Sequence, residues 1–216
     1  MCCRYYIDLA SPELQSIGEA AANSRLMERF RNVSAQGIHT SGEIVPSMIV
    51  PVIAFNKLGE QACFPMQWGY QLDNKKLLAN ARAETASEKP MFRDGWKNHR
   101  CVIPASFYYE WEHFLSPHGK KETGEKYLLQ QKGARVTWLC GLYRVEQGLP
   151  HFVILTRAPD EEIARIHDRM PLIVEERDVE RWINPSINAD EVANGAVLDV
   201  CYQKADSKAN RTVEEK

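Results

Sequence analysis

The stretch VTWLCGLYRV (residues 136–145), with HFVILT (151–156) after it, decides the fold class. Both runs are dense in β-branched, aromatic and other apolar residues, and both have strand length. Working outward, Arg100–Ile103, Ser106–Trp111 and Lys126–Gln131 read as further strands. Ile49–Phe55 and Ala62–Gly69 add two more around the turn Lys57-Leu58-Gly59, and Pro51 marks an edge or a bulge. Helical patterning lies to either side. Residues 11–32 open with Ser11-Pro12-Glu13, a cap with proline in the first turn. Residues 80–97 read as helix in pieces, interrupted by Pro90 and Gly95, and two helices are expected at 160–166 and 175–183. Loops are expected at 37–45 and between Trp111 and Lys126, and a last short strand at 197–202. The expectation is α+β, a mainly antiparallel sheet able to curl into a barrel, with flanking helices. One domain over residues 1–203 would carry a charged, flexible tail, 204–216.

Composition narrows the class. With 216 residues, 44% apolar and 26% charged, the chain can bury a full core. A net charge of −2 argues against a broadly basic nucleic-acid coat, but not against a local arginine-lined groove. The six cysteines form no CxxC and no paired metal spacing, so no metal and no cofactor are expected, and a reducing cytoplasm fits best. No apolar run approaches the roughly 20 residues of a membrane span, and the N-terminus has no signal-peptide pattern.

Four segments hold more polar chemistry than packing requires: Met1-Cys2-Cys3-Arg4, Asn80-Ala81-Arg82-Ala83-Glu84-Thr85, Phe107-Tyr108-Tyr109-Glu110-Trp111 and Ile166-His167-Asp168-Arg169-Met170-Pro171. Singly each has a bland reading: Glu110 at a wet strand edge, His167 at a helix end, Arg82 and Glu84 as a solvated pair. Cys2 stands apart by position. Removal of Met1 would leave an α-amine with a pKa near 7.7–8 and a thiol near 8.5 on one residue. Such an aminothiol can form a Schiff base with an aldehyde and then close a thiazolidine ring. Cys3 cannot do the same, because its nitrogen lies in a peptide bond.

In order and spacing these segments resemble the SOS-response-associated peptidase (SRAP) family. That family carries an N-terminal Met-Cys-Gly-Arg, an Asn-Ala-Arg-x-Glu-Thr segment, a Phe-Tyr-Glu-Trp-type strand and an Ile-His-Asp-Arg-Met-Pro segment. Trp68-Gly69-Tyr70, Phe92 and Arg100–Ala105 also fit. The resemblance implies binding of single-stranded DNA that contains abasic sites, with a covalent thiazolidine crosslink through Cys2. It also implies a thiol autopeptidase activity that removes Met1. By matching motif, Cys2 would be the nucleophile and Asn80 would hold its N-terminal end. Glu110 would handle the amine proton, and His167 would act as acid on the deoxyribose oxygen. Arg4, Arg82 and Arg169 would hold phosphates, with Thr156 supporting the site. Pro46, Trp68 and Trp111 would wedge or stack on bases, core packing being the competing reading for both tryptophans.

The departures are specific. Cys3 replaces the usual glycine. The segment 42–47 keeps Pro46 but not the usual Asn-x-Ala-Pro-Gly, and 71–76 lacks a tryptophan-rich stretch, which implies a less aromatic groove. Two other functions compete: a thiol peptidase acting on other chains, and a single-strand binder in which Cys2 is idle.

Overall fold

Why the start of the chain is buried follows from where its first strand is inserted. The computed structural model describes residues 2–33, 36–73, 76–116 and 118–205. It begins with β1 (Tyr5–Ile7), α1 (Pro12–Ala22), α2 (Leu26–Val33), β2 (Gly42–Ile44), β3 (Ile49–Phe55) and β4 (Gln61–Trp68). The two-residue strands β5 (Tyr70–Gln71) and β6 (Leu77–Leu78) precede β7 (Asn80–Arg82), α3 (Ala83–Ala86) and α4 (Pro90–Asn98). Then come β8 (Arg100–Ala105), β9 (Phe107–Leu115), β10 (Lys121–Gln131), β11 (Thr137–Glu146) and β12 (Leu149–Arg157). Short β13 (Met170–Pro171) and β14 (Ile173–Val174), α5 (Val179–Ile183), α6 (Ala189–Asn194) and β15 (Val200–Lys204) follow.

Five strands close a ring: β3 pairs with β4, β4 with β12, β12 with β11, β11 with β8, and β8 again with β3. Only the β4–β12 contact is parallel. Val50, Val52, Val102, Ile103, Leu139, Val153 and Leu155 of these strands all belong to the main buried cluster, which packs on both faces of the sheet. Strand β8 is buried along its whole length, which is why it reads as a continuous apolar run. Gly141 is fixed by contact: a Cβ there would lie 2.8 Å from the carbonyl oxygen of Val153.

A second antiparallel sheet runs β15-β10-β9-β1-β2. Strand β1 lies inside it, bonded to β9 on one side and β2 on the other. An interior strand at the chain start carries the residues before it into the core, and Cys2 is fully buried there with Tyr5. Strand β7 continues the edge of β12 where β4 leaves off, setting Asn80 beside Ile154 and Arg82 beside Thr156.

The α+β, largely antiparallel, barrel-like expectation holds, and several local readings change. The helix expected over 11–32 is two helices. Asn23 closes α1, and the Ser24 hydroxyl accepts the Leu26 N–H (3.4 Å) to start α2. Asn80–Arg82 is strand, because pairing with β12 overrides its helical patterning. The loop expected between Trp111 and Lys126 is mostly the β9–β10 hairpin, with a register shift between Thr123 and Lys126. The 160–166 helix shrinks to a 3-10 turn, Ile163–Arg165, and α5 is preceded by another, Glu176–Asp178. Lys204 belongs to β15 rather than the tail. From Asp206 onward the expected tail lies outside the described residues. No helix among them is long and apolar enough to cross a membrane.

Candidate active site at the start of the chain

Strand β9 puts Tyr108 and Glu110 on its inner face and Phe107, Tyr109 and Trp111 on its outer one, as period-2 alternation requires. Glu110 is 3% exposed. Burial, and then the charge of Asp168, raise its carboxyl pKa to about 7. His167, after the Ile163–Arg165 turn, places Nε2 3.8 Å from a Glu110 carboxylate oxygen. Desolvation lowers the imidazole below its ordinary value, and His113, whose ring lies 4.8 Å away edge-on, pushes the same way. The backbone N–H of Arg169 donates to His167 Nδ1 (3.0 Å), so in the neutral ring the proton sits on Nε2, toward Glu110. Asp168, at 3.0 Å from Nδ1, is the acceptor for a protonated ring, but its carboxylate is largely in solvent.

Burial disfavours charge on both groups, so near neutral pH the shared proton sits mainly on Glu110. A neutral imidazole can still donate through Nε2–H.

Cys2 is near enough to feel the charge of Glu110. Its thiol is held well above its ordinary pKa, first by burial and then by the charge of Glu110. It donates weakly to the Arg4 carbonyl at 3.8 Å. Asn80, 5% exposed, donates through Nδ2 to Cys3 Sγ at 3.7 Å, and its buried Oδ1 has no partner among the described residues. An acceptor left open beside the chain start suits an incoming N–H. Cys3 itself is exposed.

The three arginines differ. Arg4 pairs with Glu43 and lies over the Trp111 ring at 5.6 Å. Arg169 makes a two-pronged contact with Glu84, both distances 2.7 Å, and donates to the Thr156 carbonyl at 2.6 Å. Arg82 is exposed, and none of the ion pairs among the described residues includes it. Among those residues no cluster of His, Cys, Asp or Glu could hold a metal.

The SOS response associated peptidase (SRAP) family model matches residues 1–213. The chain belongs to this family. The abasic site processing protein YoqW of Bacillus subtilis is 34% identical over 162 residues, 68% of each chain. Its Escherichia coli counterpart in name, the abasic site processing protein YedK, is 30% identical over 60% of this chain and 58% of its own. A crystal structure from Bacteroides thetaiotaomicron shares the fold, with a TM-score of 0.67 at 20% identity, covering 94% of this chain and 92% of that one.

Against the SRAP motifs, three residues need correction. Trp68 is fully buried, its indole donating to the Ala79 carbonyl (2.9 Å) and packed on Tyr5 and Phe152, so it offers no face to a base. Thr156 is also fully buried. Its hydroxyl donates to the Ala81 carbonyl (3.3 Å), which ties β7 to β12 rather than contacting DNA. Arg169 is committed to Glu84 and the Thr156 carbonyl, so it braces the His167 loop instead of standing free for phosphate. Trp111 and Pro46 are both half-exposed. Pro46 leads into Ser47, a non-glycine residue at φ 81 where the family motif has glycine.

Three residues escaped the sequence reading. The Tyr5 and Tyr108 hydroxyls are buried without partners among the described residues, and the charge of Cys2 helps to raise both phenols above their ordinary range, after burial. His113 is the third. Polar residues inside aromatic strands are the one signal that could have pointed to the tyrosines.

Proposed function

We propose that this SRAP protein captures abasic sites in single-stranded DNA through Cys2 once Met1 has been removed. The observation that carries the reading is the full burial of Cys2 within reach of the charge of Glu110, whose carboxyl pKa is raised to about 7 and which lies 3.8 Å from His167. The relatives named as abasic site processing proteins support the same lesion.

The chemistry balances with these groups alone. The free amine of Cys2 adds to the aldehyde carbon of the ring-opened sugar, giving a carbinolamine. Its hydroxyl takes a proton from Glu110 or His167 and leaves as water, giving the imine in its protonated form. The thiol sulfur then adds to that carbon, and its proton passes to the emptied carboxylate. One aldehyde and one aminothiol become a thiazolidine and a water. A general acid–base pair contributes typically 10²–10⁴-fold to such steps. A thiol held protonated is no obstacle, because the amine attacks first. The exposed Arg82 and the half-exposed Trp111 are open to phosphate and base contacts.

The test is incubation with an oligonucleotide bearing one abasic site, read as a heat-stable shifted band. Cys2→Ala should abolish the band and Cys3→Ala should leave it. A normal band from Cys2→Ala would discard the reading. Cleavage of unrelated peptides, lost in Cys2→Ala, would favour a thiol peptidase instead.

A further inference from the structure

We propose that the cleft between α3 and α6 is an anion subsite in which Arg157 takes a backbone phosphate of the DNA strand. The inference rests on the single-strand reading above and adds a contact that the family motifs do not contain.

Arg157 ends β12, one residue beyond Thr156. Its Nη1 is shut off from solvent and has no hydrogen-bond partner among the described residues, and none of the ion pairs there includes it. The residue as a whole is half-buried, and an unpaired guanidinium nitrogen is completed by an anion. Its side chain lines a cleft of about 330 Å³ with Glu84, Ser87, Asp190 and Asn194. Glu84 is the acid that would ordinarily neutralise it, but both its oxygens are held by Arg169. That same contact holds the Glu84 carboxyl down at about 2, so it is fully charged and fully engaged. Asp190 is exposed and makes no ion pair with Arg157.

The cleft is therefore a pocket with one uncompensated fork donor, flanked by the Ser87 hydroxyl and the Asn194 amide. That set of donors suits a phosphodiester, whose two free oxygens match a planar guanidinium. A polyanion is favoured over a lone anion by what adjoins. A second cleft of about 420 Å³ shares Ser87, Trp96 and Asp190 and is lined by Arg93 and Lys97. The cleft also abuts the lesion site, because Glu84 forms its wall on one side and braces Arg169, two residues after His167, on the other. A strand leaving the lesion along this wall would meet Arg157 first and Arg93 and Lys97 next.

The experiment is anisotropy of a labelled, undamaged single strand, titrated with the full-length protein over a salt series. Arg157→Gln should weaken binding roughly tenfold at low salt and flatten the slope of log K against log salt by about 0.7, the share of one phosphate contact. Arg157→Lys should recover most of that slope, and would keep the charge if Gln unsettled the fold. Equal affinity and slope in wild type and Arg157→Gln would overturn the subsite alone. A wild type that binds no single strand at any salt would overturn the subsite together with the reading it rests on.

Discussion

The two faces of β9 are built to opposite rules. Outward, Phe107, Tyr109 and Leu128 form a small apolar cluster, with Tyr6 stacked on Phe107 at 4.9 Å. The Lys126 ammonium sits 3.6 Å from the Tyr109 ring centroid and 5.3 Å from that of Trp111. Every aromatic there has a ring or cation against it, the pattern of a face selected for packing. Inward, one residue along, are a buried carboxyl whose pKa desolvation raises to about 7 and the buried Tyr108 phenol, which like its β1 neighbour Tyr5 has no partner among the described residues. That face is a stability liability, and such liabilities cluster where a site needs poised groups. One strand thus carries cohesion and chemistry on alternate residues.

The largest expected effect tests the inner face. Glu110→Gln should slow crosslinking by about 10²–10⁴-fold while leaving binding of undamaged strands in place. It should also change the pH dependence of stability, with a sign that follows from the raised carboxyl. A folded pKa near 7 against about 4.5 unfolded means the native state holds the proton more tightly between those values. The wild type therefore loses stability as pH rises through that window, by about 3 kcal/mol at most. Gln cannot ionise, so thermal melts of the variant should match wild type near pH 4.5 and exceed it above pH 7. His167 works in the opposite sense: its lowered pKa adds stability above about 6.5 that is lost as pH falls, and the variant keeps that part. A variant less stable than wild type at pH 8 would show that Glu110 is held for structure.

Smaller effects belong to the outer face. Trp111→Ala removes the ring against Arg4 and Lys126 and should cost about 1–3 kcal/mol, read by denaturant melts. Its crosslinking should need more DNA for half-saturation, with a far smaller change in the saturated rate than Glu110→Gln gives. A rate loss equal to that of Glu110→Gln would erase the division between the faces.

How much of this was legible depended on which physics wrote the signal. The barrel strands were, since β8, β12 and the first six residues of β11 are buried on both faces and must read as apolar runs. Cys2 was singled out by its own chemistry, because a free amine and a thiol on one residue are reactive; Asn80, Glu110 and His167, bland singly, took their expected roles only from the resemblance to the SRAP motifs. What stayed hidden is set by partners far along the chain. Strand β1 is three residues whose status comes from β9 and β2. Arg169 looked like a free phosphate donor because nothing local shows that Glu84, 85 residues earlier, holds it. Trp68 looked usable for stacking until Tyr5 and Phe152 were seen to enclose it. Periodicity reports which face is apolar, not which side chain another segment will cover.

The smallest effect asks whether strain outside β9 belongs to the site. Ser47 sits at φ 81, a region that disfavours any side chain, between Pro46 and the start of β3. Its backbone is held on both sides: its N–H donates to the Trp68 carbonyl (2.8 Å) and its carbonyl accepts from the Gln67 amide (2.9 Å). The conformation is thus imposed by β4, and serine must bear it. Ser47→Gly should raise stability by about 0.5–1 kcal/mol, read as a shift in the denaturant midpoint, because glycine meets no Cβ penalty there. If crosslinking and strand affinity stay level, the strain is merely architectural and the liabilities of the inner face of β9 stand apart as functional. If the gain comes with weaker binding, the Ser47 hydroxyl contributes to holding DNA beside Pro46, and the working surface extends beyond Cys2, Asn80, Glu110 and His167.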